Sequence, residues 1–136
     1  MKYKSIVSAC AALSTFFAVA FVLAPDVFTY NMFPSAEGLA LEVGIVKRYM
    51  MAAMALMGAV MIFCVREVSD VKSQCSILLG LGVGFTIPCA TLIVLVGSHN
   101  IPLQLVPVVA TGFAATMCYR ALFSLDAHQL VFSGHG

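Results

Sequence analysis

Four apolar stretches limit what this chain can fold into. They cover residues 5–24, 45–65, 76–97 and 103–123. Each matches the ~20 mostly apolar residues that a helix needs to cross the ~30 Å hydrocarbon layer of a bilayer. None shows the alternation or the ~10-residue repeat of a barrel strand. Backbone groups in lipid must find partners within their own segment, so these stretches should be helices. The expected fold is all-α: an integral membrane four-helix transmembrane bundle over residues 1–123, followed by a cytoplasmic tail over 124–136. Composition agrees. The chain of 136 residues is 62% hydrophobic and only 10% charged, too few charges to wet the surface of a small soluble domain. Such apolarity also excludes a disordered chain. A net charge of +1 gives no electrostatic footing for nucleic acid.

The cations set an orientation. With four spans, Lys2, Lys4, Arg66, Lys72 and Arg120 fall on one side, and Lys47 and Arg48 on the other. The positive-inside rule then puts both termini in the cytoplasm, in a membrane of the inner or plasma type. Lys2 and Lys4 before an apolar run also resemble a signal peptide, with Ala18-Val19-Ala20 as a cleavage site. The run continues to Ala24, however, so the expectation is an uncleaved first span. Of five cysteines, Cys64 and Cys75 flank the loop after the second span, while Cys10, Cys89 and Cys118 lie within spans. All five read as reduced thiols acting as small apolar residues. The alternative is a Cys64–Cys75 redox pair, without C-x-x-C spacing to support it.

Helices in lipid associate by close backbone approach and through polar side chains. In the third span Ser76, Gly80, Gly84 and Pro88 recur every four residues, which predicts a packing seam along one face. Pro88 should kink that helix and free the Gly84 carbonyl, which Thr86 or Thr91 could satisfy. Gly112 and Thr116 suggest a second seam in the fourth span. Tyr119 and Arg120 read as interface anchors at its end. The second span carries Met50, Met54, Met57 and Met61 at the 4, 3, 4 spacing of one helical face. Thioethers are soft ligands suited to Cu(I) and also adaptable packing filler. Met50-x-x-x-Met54 with the glycine-spaced third span is similar to the Met and Gly patterns of high-affinity copper transporters. Those have three spans and Met-rich outer tails, which this chain lacks. The main reading for Met50, Met54 and Met57 is filler, and no metal or other cofactor is expected.

Catalysis and coupled transport need working ionisable groups, and the centres of all four spans hold none. His99, His128 and His135 do not share metal-site spacing on one helix. The most informative stretch is residues 25–49, rich in aromatics and charges. Pro34-Ser35 predicts a helix start with Ser35 as cap, which would set Glu42 near Lys47. Lys47 and Arg48 then meet the membrane boundary, where they must snorkel or pair. One reading is an interfacial anchor. The other is a shallow ligand site built from Asp26, Glu42, Arg48 and His99, for an anionic headgroup or small polar molecule.

The run Val46-Lys47-Arg48-Tyr49-Met50-Met51-Ala52-Ala53 enters the second span, and a short charged loop then leads to Leu78-Leu79-Gly80-Leu81-Gly82. In this layout the chain resembles small four-helix bacterial membrane proteins of the DoxX-like kind. The resemblance implies an architecture and carries over no catalytic residue. The function expected is that of an accessory or scaffold subunit without its own catalytic site. It would act against the bilayer through other membrane subunits or further copies of itself. The alternative is a small transporter, or a bundle that binds a lipid, a quinone or a metal.

Overall fold

Each helix starts and stops where the sequence supplies a reason. The computed structural model describes the backbone of residues 2–99 and 105–133, and the side chains of 2–97 and 105–125. Helix α1 (Tyr3–Leu23) runs without a charge after Lys4 and stops at Ala24. Ala24 precedes a proline, which disfavours helical backbone at that position. Pro25 then opens a short helix, α2 (Pro25–Met32), with Asp26 in its first turn. Proline at the first helical position and an acid near the helix N-terminus both favour a start there. Helix α3 (Leu39–Cys64) begins after Gly38, whose φ of 53° suits a residue without Cβ. Pro34 and Ser35 lie in the turn before it, so Gly38 and not Ser35 marks this start. A 3₁₀ turn (Val65–Glu67) and a short loop lead to α4 (Val71–His99), and α5 is Leu105–Ser133.

Asp70 caps α4. Its Oδ2 accepts the Ser73 backbone N–H at 2.8 Å and the Ser73 hydroxyl at 2.7 Å. Those hydrogen bonds hold the carboxyl below its usual range. A depressed folded-state pKa means the cap is intact above the ordinary aspartate pKa of ~3.9 and is lost as pH falls through the folded value. Asp70→Ala should speed amide hydrogen exchange in the first turn of α4 at neutral pH, and the difference from the parent should vanish in strong acid.

Four helices are long and apolar enough to cross a membrane: Tyr3–Leu23, Leu39–Glu67, Val71–Gly97 and Leu105–Leu125. They match the four sequence runs. The short α2 lies between the first two of them, within the aromatic and charged stretch 25–49. Residues 124–133 continue α5. Residues 103 and 104, where the fourth sequence run begins, lie outside the described residues.

In cross-section the four long helices form an open row, α3–α1–α5–α4. Packing is extensive between α1 and α3 and between α4 and α5, and α1 meets α5 more narrowly. Among the described residues the two outer helices, α3 and α4, have at most marginal contact, so the row does not close. The core lies at the end that carries the N-terminus. Tyr3, Ile6, Val7 and Cys10 of α1 meet Leu78 of α4 and Ala114, Cys118 and Ala121 of α5. The Tyr3 hydroxyl donates to the Val65 carbonyl at 2.8 Å, and Lys4 pairs with Glu67. These ties fasten the start of α1 to the turn after α3.

The seam between α4 and α5 uses a neighbouring face to the one expected. Ser76, Gly80, Gly84 and Pro88 are all exposed, and a Cβ built on Gly80 or Gly84 would meet nothing within 4 Å. The face turned to α5 carries Leu78, Gly82 and Cys89. The Tyr119 ring lies over Gly82, and Gly112 lies 3.6 Å from the Cys89 sulfur once its Cβ is built. That face offers α5 a hole flanked by bulk, which gives more dispersion contact than a flat glycine strip. Tyr119 therefore packs in this seam. The hydroxyls of Thr86 and Thr91 donate to the carbonyls of Gly82 and Ile87, so neither serves the Gly84 carbonyl.

Candidate functional site

One charged side chain is buried in the described structure, and it is Arg48 of α3, only 6% exposed. Helix α2 covers it. Its Nη2 donates to the Phe28 carbonyl at 3.1 Å and to the Met32 sulfur at 3.2 Å. Its Nη1 donates to the Met51 sulfur at 3.6 Å. The guanidinium also lies 5.7 Å from the centre of the Phe21 ring, and Phe21 meets Phe28 edge-on at 4.9 Å. Arginine suits such a place because its fork reaches several acceptors while its flat face rests on an aromatic.

The second anchor of α2 is steric. Thr29 is 1% exposed and donates its hydroxyl to the Pro25 carbonyl at 2.8 Å. Its methyl group sits against Gly44 of α3 so closely that a Cβ at 44 would run into it. Glycine is required there for close approach, not for backbone shape. Gly44→Ala should lift α2, read as faster proteolysis within residues 33–38. The cost should be about 1–3 kcal/mol of stability, as for overpacking generally.

The expected ligand cluster is not brought together. Asp26 and Glu42 are exposed, and the described ion pairs are Lys4–Glu67 and Arg66–Glu67, with none at Arg48. Glu42 and Lys47 form no described ion pair either, since residues five apart are not neighbours on a helix. The His99 side chain lies outside the described residues. In place of the acids, Arg48 uses Phe21, Phe28, Met32 and Met51, none of which the sequence reading assigned to it. One signal was available: Ala24-Pro25-Asp26 is a helix start, and an α2 helix there must cover something on α3.

Met50, Met54, Met57 and Met61 all face outward, at 61–68% exposure. They do not converge on an internal path. Among the described residues no group of three or more His, Cys, Asp or Glu could hold a metal ion. An open apolar groove of about 310 Å³ runs between α1 and α3, lined by residues such as Ala18, Val22, Tyr49, Ala52 and Leu56. What these parts can do chemically is bind and position. The described site has a cation, weak acceptors and apolar walls, and no nucleophile paired with a base. Comparison with protein families, curated proteins and solved structures gives no match for this chain.

Proposed function

We propose that this chain is an integral membrane protein of the inner- or plasma-membrane type, with both termini in the cytoplasm. It acts as an accessory or scaffold subunit without a catalytic site of its own, through contacts with other membrane subunits. One observation carries this reading. The row of helices is open, and its edge helix α4 leaves Ser76, Gly80 and Gly84 uncovered, with free space above both glycines. Small residues on an outer helix face let another helix approach closely in lipid. The cation asymmetry supports the orientation. Depth supports the span: Arg48 and Arg66 stand about 18 residues apart, ~27 Å along a helix, close to the hydrocarbon thickness. The likeness to the DoxX-like proteins supports the same architecture.

Extraction in mild detergent should bring companion membrane proteins down with the chain. Gly80→Leu with Gly84→Leu should release them while the thermal midpoint of the isolated chain stays the same. A stable monomer that travels alone from native membranes sinks the proposal. A second reading, binding of an anionic lipid, draws on Arg48, a cation with no carboxylate against it among the described residues.

A further inference from the structure

The joint between the two helix pairs holds two thiols face to face. Cys10 of α1 and Cys118 of α5 lie sulfur to sulfur at 3.7 Å, one donating its S–H to the other. They are 3% and 0% exposed. Around them are Ile6, Val7, Leu78, Ala114 and Ala121. The alanines of α5 bring its backbone near α1, so the thiols meet in the narrow α1–α5 contact, which among the described residues is the main one between the α1–α3 and α4–α5 pairs. We propose that Cys10 and Cys118 form an oxidisable dithiol, which a small membrane-permeant peroxide closes to a disulfide that locks α1 to α5. This goes beyond the subunit reading and requires neither a partner nor a bilayer.

The chemistry balances without any other reagent. The accepting sulfur attacks one peroxide oxygen, and the O–O bond breaks. A sulfenic acid forms, and one water leaves with the thiol proton. The second sulfur attacks the sulfenic sulfur and the S–O bond breaks. The hydroxyl departs with the second thiol proton as another water, and the S–S bond forms. Two thiols and one hydrogen peroxide become one disulfide and two waters. Two electrons pass from the sulfurs to the peroxide oxygens. The sulfurs must close from 3.7 Å to about 2.05 Å, and nothing stands between them.

Burial selects the oxidant. At 3% and 0% exposure the two sulfurs admit small, neutral reagents and exclude bulky ones. The same burial shields the finished bond from aqueous thiols. The other cysteines are placed differently. Cys64 is exposed, and Cys89 is held near the Val108 carbonyl at 3.7 Å.

The test uses the full chain with Cys64→Ser, Cys75→Ser and Cys89→Ser. It is treated with hydrogen peroxide in detergent, then denatured and alkylated. Both remaining thiols should become unreactive, with no oxygen added to the mass. Peptides carrying residues 10 and 118 should be joined until a reductant parts them. The thermal midpoint should rise, because a cross-link between distant residues restricts the unfolded chain. Two thiols still open to alkylation, or sulfinic acid on either without a joined peptide, overturns the proposal. If the triple variant does not fold, peptide mapping of the parent chain decides. A 10–118 link supports the proposal. Links only through residues 64 or 75, or no link after Cys64 has fully reacted, count against it.

Discussion

Leucine at position 82 should separate α4 from α5. A Cβ at Gly82 would lie 2.9 Å from Tyr119 Cε1, 3.0 Å from Cζ and 3.2 Å from Cδ1. Contacts that short force a neighbour to move, and the neighbour is a flat ring with few ways to bend. Its hydroxyl is also 3.4 Å from the Thr86 hydroxyl, so a swing of the ring gives up that contact. Alanine alone should cost about 1–3 kcal/mol, as overpacking does, and leucine more. The thermal midpoint in detergent should fall sharply for Gly82→Leu. It should hold for Gly58→Leu, because a Cβ at Gly58 meets nothing within 4 Å. Tyr119→Ala should rescue much of the loss by emptying the space. If position 82 tolerates leucine as well as position 58 does, the α4–α5 seam described above is wrong.

Glycines also show how far the sequence could be read. Spacing alone pointed to Gly80 and Gly84, because repeats of four place residues on one face. It could not say which face of α4 would meet α5. That depends on which side carries a hole and bulk together, and the bulk comes from Tyr119, far along the chain. Helix lengths were legible because apolar runs of ~20 residues have few other uses. The open order α3–α1–α5–α4 was not, since all four helices are apolar around most of their circumference and periodicity does not pick partners. Cys10 and Cys118 read separately as buried small residues. Only the approach of α1 to α5 makes them a pair. Arg48 was read beside Lys47 as a boundary charge and as one of four ligand residues, and its partners were guessed by sign. The structure gives it a carbonyl, two thioethers and a ring, because α2 turns Phe28 and Met32 to it and leaves the acids at 26 and 42 exposed.

Those partners decide the sign of the last effect. Removing a guanidinium from water costs several kcal/mol. Against that stand one carbonyl bond, two thioethers, which are weak acceptors, and a ring worth about 0.5–2 kcal/mol. No carboxylate repays the balance. Arg48→Met should therefore leave stability within about 1 kcal/mol of the parent, since it keeps an apolar side chain against Phe21 and Met32 and removes the buried charge. Arg48→Ala should lose about 2–5 kcal/mol, because it also opens a cavity under α2. Thermal midpoints in detergent and proteolysis between residues 33 and 38 read both. If methionine proves as damaging as alanine, the polar contacts of Arg48 hold α2 down and its charge is not a net cost. If methionine keeps the fold and yet lowers binding of anionic lipid to the purified chain, Arg48 is retained for a ligand. Its burial is then a cost the fold carries for that purpose, and the second reading gains over the first.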